Sequence, residues 1–503
     1  MPEHIATLIV ILTIATAIFV LAKKHIEGIV QPQEFILWRN AWFIITLIAF
    51  LASNFWIYIL ATGLYVNYVV KKVENRIAFF YAILFAVPVI SVRMGPLIYI
   101  DYVVLLSIVI LLPMFFSVKY RKDAQRFGRT IPDWLVIILI TLMTILEMRG
   151  TTFTDAGRNG IGYFLSIFLP YFIASRIVDF NHLKVAIIAF SLAGLIAGSL
   201  AIFESFDQWL LYNPLPNALH ADFNLGSYLG RGTNLRALSS LGHPLILGLL
   251  MMIIFGFYLF VAPLIENKWM RRLCWLAVLG GLFAPLSRGA WVSTLILLFI
   301  YIAIGPKMIK RMTVAVFFSM LAASSLPFIP GGEKLINSLP FIGKVDQFNV
   351  DYREVLFEKG LQIVARKPLF GVDEPSLEPE MEDMVQGEGI VDIVNSYLNI
   401  VLGYGIPALV LYVGFFLLAI WRVFKSRKRI KDKNSDEYRC GTALIATMLA
   451  VLIAIFSTSS IGAIPTIIYS LAGLLYAYAR VIDIKYKKKF SWQQTTTATS
   501  GNI

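Results

Sequence analysis

LCWLAVLGGLFAPLSRGAWVSTLILLFIYIAIG, residues 273–305, carries a single charge, Arg288, in 33 positions. A bilayer core about 30 Å thick is crossed by about 20 apolar residues in a helix, so this stretch is too long for one crossing. Gly280-Gly281 and the segment Pro285-Leu286-Ser287-Arg288-Gly289 interrupt it. Such punctuation predicts two crossings joined by a tight turn, with Arg288 at the outer end. Working outward, apolar runs of 15 to 22 residues recur from Ile5 to Ala479 between short charged loops. A membrane barrel would instead show alternation over about 10 residues, so continuous runs mark helices. The composition agrees: 58% of residues are hydrophobic and 15% charged, where a soluble domain has roughly 25% charged.

Loop charge sets the expected topology. Eight basic segments lie between the apolar runs: Lys23 to Arg39, Lys71 to Arg76, Lys119 to Arg129, Arg176 to Lys184, Lys268 to Arg272, Lys307 to Arg311, Arg422 to Arg439 and Arg480 to Lys489. Together they hold 32 of the 44 Lys and Arg residues, and the positive-inside rule places them in the cytoplasm. The net charge of +13 is thus a signature of topology, and no nucleic-acid partner is expected. The run from Ala41 to Val70 has basic loops on both sides, so it must turn back, and Ser53-Asn54 is the place to split it. The first run, Ile5 to Ala22, has no basic residue before it and reads as a retained helix rather than a cleaved leader. The expected fold is an all-α polytopic integral membrane protein of about fifteen transmembrane helices, with fourteen as fallback. Its N-terminus is outside and its C-terminus inside.

Two outer loops are long. Residues 1–205 are expected to hold the N-terminal membrane helices, 206–243 the first long loop and 244–330 the central helices. Residues 331–396 form the second long loop, 397–480 the C-terminal helices and 481–503 a disordered cytoplasmic tail. The second loop holds 13 of the 31 acidic residues. Within it, residues 352–365 (YREVLFEKGLQIVA) space apolar residues as an amphipathic helix does, and KPLFGVDEP then supplies a stop and turns.

Arginine is the candidate chemistry. An arginine within an apolar stretch costs roughly 2.5–3.5 kcal/mol at a helix centre and marks a function, here an anion ligand at Arg288. Arg231 and Arg236 close the first long loop with no acidic residue from Gly226 through Gly242. Guanidinium groups so placed suit phosphate, which they bind bidentately. The second-loop carboxylates read mostly as a solvated face. Glu388 and Asp392, four residues apart and just before the next helix, are candidates for a base toward a sugar hydroxyl. His243, in GHP, stands at a helix start. No HExxH, CxxC, Walker or GxGxxG pattern is present, so neither a metal nor a cofactor is expected, and Cys274 and Cys440 suggest no disulfide framework.

Four stretches, in order, resemble the O-antigen ligase and O-antigen polymerase superfamily of bacterial envelope enzymes. LSRGAW (286–291) resembles its "SRG" motif, and RALSSLGHPLILG (236–248) its Arg-to-"HPN" stretch, with Leu245 where Asn is usual. YREVLFEKGLQIVARKPLFGVDEP (352–375) resembles its helix ending in "PLLGVG". NSYLNIVLGYGIPALVLY (395–412) resembles its entry into the next membrane helix. The resemblance implies glycosyl transfer from an undecaprenyl-diphosphate-linked oligosaccharide to an acceptor glycan or lipid, without metal or nucleotide. It places the enzyme at the periplasmic side of the bacterial inner membrane, among membrane lipids and beside a flippase and a chain-length regulator. Carried over, Arg236 and Arg288, with Arg231, would hold the diphosphate, and Arg353, Asn395 and Tyr397 would support the acceptor loop. Ligases of the family usually carry His where Val394 stands. The base is therefore open among Asp392, Glu388 and His243, and the expected activity is polymerisation of repeat units into an exopolysaccharide or O-antigen. Ligation to a lipid or protein acceptor is the alternative, followed by a lipid-linked-sugar flippase or a non-catalytic assembly subunit.

Overall fold

The computed structural model describes residues 2–26, 28–95, 98–117, 126–226, 235–325, 347–385 and 391–499. Arg231, Glu388 and residues 331–346 of the second long loop lie outside them. The described chain is mostly helical, with one short antiparallel hairpin pairing Val92–Met94 with Ile98–Ile100. Among the described residues, seven helices are long and apolar enough to cross a bilayer: Glu3–Ile26, Pro32–Leu51, Phe180–Asp207, Pro244–Leu264, Ser396–Arg427, Asp436–Ser457 and Ile464–Tyr486. Phe55–Val70, Tyr102–Phe116 and Arg288–Ala303 are shorter apolar helices. On Phe55–Val70 the residues Trp56, Leu60 and Leu64 recur at helical spacing and are exposed, which is the apolar stripe that a lipid-facing helix needs.

Local chemistry fixes the breaks. The run from 41 to 70 stops at Leu51, turns through extended Ala52, and restarts at Phe55 because the Asn54 side chain accepts a bond from Ile57 N at 3.0 Å. The run from 273 to 305 breaks between Phe283 and Arg288. There Leu286 adopts φ +50° and Ser287 is extended, so Arg288 is the first residue of a new helix.

The loops sort onto two faces. On one, Trp209 Nε1 donates to Glu3 Oε1 (3.3 Å), Phe55 N donates to Leu219 O (2.8 Å) and His220 Nδ1 lies 3.0 Å from Ser53 O. The start of the chain, the 52–54 turn and the first long loop therefore share that face. On the other, Asn75 Nδ2 donates to His182 O (3.3 Å), Arg427 Nη1 to Ile304 O (3.3 Å), and Arg429 pairs with Asp483 at 2.8 Å. This second face carries the basic segments 71–76, 176–184 and 422–439 and the start of 480–489. It also holds a fully buried carboxylate, Asp133, which accepts two bonds from Arg176 (2.9 and 2.6 Å) and one from Tyr171 Oη (2.7 Å).

Over the first face lies an extramembrane helix, Gln347–Arg366. Its residues Tyr352, Leu356 and Ile363 are buried against Met381, Met384, Leu398 and Leu402, the helical spacing having put them on one side. Most of the acidic residues that follow are exposed, as a solvated face requires, while Glu378 and Glu380 are half-buried. Arg366 pairs with Glu378 and Glu380, and Lys359 with Asp383.

This cap is clasped to the Ser396–Arg427 helix main chain to main chain. Val372 N donates to Leu402 O (2.7 Å) and Ile406 N to Pro368 O (2.8 Å). Arg149 reinforces the clasp by donating to Gly371 O (3.1 Å) and Gly403 O (2.9 Å). Gly371 and Gly405 both have positive φ, +66° and +81°, and a Cβ on either would run into a backbone carbonyl, Leu402 O or Leu369 O. Gly405→Ala is expected to lose about 1–3 kcal/mol from backbone strain alone and more from the clash. The check is a lower melting temperature of the purified protein together with faster proteolysis of the 347–395 segment. An unchanged melting temperature would refute the clasp.

The last helix continues to Thr499, through the stretch expected as a disordered tail. No glycine or proline stands between Leu474 and Thr499 to stop it.

Candidate functional site

The site is built where three helix starts meet one turn. Residues 235–238 run without regular structure toward the Pro244–Val261 helix. Arg236 Nε donates to Pro285 O (3.0 Å) and Ala237 N to Ala284 O (3.2 Å), so this strip lies against the turn that begins the Arg288 helix. What holds the strip down is a carboxylate that sequence reading passed over. Glu204, fully buried on Phe180–Asp207, accepts from Leu211 N (2.9 Å), Leu238 N (2.8 Å) and Ser239 N (2.7 Å). Arg288, at a helix N-terminus, adds its guanidinium to the positive end of the helix dipole, and both favour a neighbouring anion.

His243 caps the Pro244 helix, its Nδ1 accepting from Leu245 N at 3.2 Å. With Nδ1 used as acceptor, the ring proton sits on Nε2. Burial and then the charge of Arg236 push its pKa down to about 4, so the ring is neutral at neutral pH. His243 is thereby equipped as a hydrogen-bond donor beside Arg236.

The second half of the site comes from the end of the second long loop. Asp392 Oδ1 accepts from Ser459 Oγ (3.3 Å), and its main-chain oxygen accepts from Tyr352 Oη (3.2 Å) of the cap. Burial raises the Asp392 carboxyl above the usual aspartate range, while the Ser459 hydroxyl and the nearby Arg353 charge oppose the rise. Asn395 caps the next helix, accepting from Tyr397 N (3.0 Å) and Leu398 N (3.1 Å), and Tyr397 Oη donates to Leu452 O (2.6 Å). Both therefore shape the helix entry.

The turn 457–460 ties the halves together. Ser396 Oγ donates to Thr458 O (2.7 Å) and Ser460 Oγ to Ser396 Oγ (2.9 Å), which fixes the turn to the Asp392 side. A Cβ on Gly289, the residue after Arg288, would lie 2.6 Å from Ser457 Oγ, which fixes it to the Arg288 side. The Pro244 helix closes the circle, since a Cβ on Gly248 would lie 2.7 Å from Ser287 Cβ. Arg236, His243, Arg288, Arg353 and Asp392 thus belong to one neighbourhood on the face opposite the basic loops, although they come from four separate stretches of sequence.

Both parts of this turn and the Glu204 anchor were missed from sequence. Glu204 was detectable as a carboxylate near the end of an apolar run, where an unpaired charge is costly. Ser457-Thr458-Ser459-Ser460 reads only as a short polar loop.

Fold and site together define a multi-span integral membrane protein that carries a folded cap over one face. Residues 273–413 match the family model described as O-Antigen ligase. The match includes Arg288, Arg353, Asp392, Asn395 and Tyr397, while Glu204, Arg236 and His243 lie before it. A lipid-linked glycan and an acceptor are the substrates that this family implies. No curated protein matches the chain.

Proposed function

We propose that the protein polymerises undecaprenyl-diphosphate-linked oligosaccharide repeat units into an exopolysaccharide or O-antigen, at the periplasmic face of a bacterial inner membrane. The observation that carries this reading is that Arg236 bonds to Pro285 O in the turn before Arg288, while the 457–460 turn lies against both Gly289 and Asp392. In the proposed reaction an acceptor hydroxyl attacks the anomeric carbon, its proton passes to Asp392, and the sugar–phosphate bond breaks with its electron pair leaving on the diphosphate. Arg236 and Arg288 stabilise that charge as it grows, and His243 Nε2–H donates a further bond. The proposed path has fifteen crossings with the N-terminus outside and the C-terminus in the cytoplasm. Its support is the sorting of loops onto two faces, one of them basic. Val394 favours polymerisation over ligation, since the histidine usual in family ligases is missing there.

Purified protein given lipid-linked repeat units is expected to form polymer, and Asp392→Asn to form little. The wild-type rate should rise with pH through an apparent pKa above that of a free aspartate. A base with a raised pKa is protonated, and idle, at a higher pH than an ordinary carboxylate. Polymer of normal length from a deletion strain, or an unchanged profile in Asp392→Asn, would overturn the reading. Polymer made but left unattached would indicate the ligase.

A further inference from the structure

On the basic face, away from the site above, a cavity of about 260 Å³ opens between four helical elements. Three guanidinium groups line it: Arg176 at the end of the Leu169–Ser175 helix, Arg422 near the end of Ser396–Arg427, and Arg480 on the last helix. One carboxylate, Asp483, shares the wall, and it is already engaged by Arg429 (2.8 Å) and by Ser426 Oγ (2.7 Å). Arg176 is held rigidly by the fully buried Asp133. Arg480 donates to the main-chain oxygen of Ile177, which fixes its side chain too. Tyr171 and Tyr476, both buried, form the apolar floor.

With Arg176 paired to Asp133 and Asp483 paired to Arg429, Arg422 and Arg480 leave the cavity with excess positive charge. Two of the three guanidinium groups are pre-set by bonds to the fold. A preorganised arginine loses little freedom on meeting an anion, and its planar fork matches phosphate oxygens. Arg422 has no acidic partner among the described residues with a resolved ion pair, and it is the group that an incoming anion would gain. The cavity lies on the face that carries basic loops, the side on which anionic headgroups attract cationic groups.

We infer that this cavity is a phosphate-binding site, distinct from the proposed catalytic one. Its ligand is a phosphate group, presented either by an anionic lipid headgroup or as a free anion. Occupancy would lock together the Leu169–Ser175, Ser396–Arg427 and Ile464–Thr499 helices at the basic face. The Ser396 helix begins at the candidate catalytic carboxylate on the other side, so the ligand would stiffen the scaffold that the reaction uses.

The test uses the full-length protein purified in detergent, then measured by thermal unfolding with three additions: phosphatidylglycerol, phosphatidylcholine and inorganic phosphate. Arg422→Ala is the test variant and Arg272→Ala, an exposed arginine on the same face, is the control for general charge. Phosphatidylglycerol should raise the melting temperature of the wild type and of Arg272→Ala. Arg422→Ala should need about tenfold more lipid for the same rise, as expected for the loss of one charge-assisted bond. Stabilisation by inorganic phosphate, lost in the same variant, would also support the site and would assign it a soluble ligand. Equal responses of wild type and Arg422→Ala to both phosphates would overturn the inference, as would a response to phosphatidylcholine of the same size. If Arg422→Ala proves unstable, Arg422→Gln read by native mass spectrometry of co-purified anionic lipid gives the same decision. Lipid retained at the wild-type level would refute the site.

Discussion

Arg288→Ala is expected to slow polymer formation by about a hundred- to a thousandfold, the range seen when one donor to a developing negative charge is removed. The protein should remain folded, because Arg288 opens its helix through its position after extended Ser287 and not through the side chain. Arg288→Lys should recover only part of the rate, since it restores the charge without the two-pronged donor. The measurement is single-enzyme-limited transfer from lipid-linked repeat units, with the monodisperse elution of each variant as the folding control. A wild-type rate in Arg288→Ala would remove the proposed diphosphate site.

The second large effect belongs to a residue that need not touch substrate at all. Glu204→Ala would leave Leu211 N, Leu238 N and Ser239 N without their acceptor inside a fully buried pocket. Each orphaned buried donor costs roughly 1–3 kcal/mol, so a loss on the order of several kcal/mol is expected. The 235–241 strip would come away from the Phe180 helix, and Arg236 would lose its position against Pro285. Both the melting temperature and the transfer rate should therefore fall together. Glu204→Gln should do better than alanine, because its amide oxygen can still accept. A Glu204→Ala protein with normal stability but no activity would mean that Glu204 acts on the substrate rather than on the strip.

Much of the helical pattern was legible because it is written locally. Pro285, Gly289 and the length of the run announce the break before Arg288, and Asn54 announces the restart at Phe55, since a turn residue acts on its immediate neighbours. The cap helix was legible for the same reason, though its first turn, residues 347–351, was not. The residues that assemble the site were less visible. Glu204 serves amides 34 and 35 positions away, and Ser459 meets Asp392 across 67. Such bonds depend on how helices pack, which hydropathy does not encode. Arg149 is the same case, an ordinary loop arginine until its donors are seen on Gly371 O and Gly403 O. The acidic stretch of the second loop is mostly the solvated face that its composition suggests, with Arg366 and Lys359 pairing Glu378, Glu380 and Asp383.

The meeting of Gly371 with Gly405 has a consequence for how this chain can vary. Neither position tolerates even a methyl group, and each is barred by main chain contributed from the other's segment. Drift at one cannot be absorbed by trimming a side chain at the other, because there is none to trim. Descendants that keep the cap must keep both residues, whereas the exposed side chains of Leu369 and Phe370 beside them are free to change.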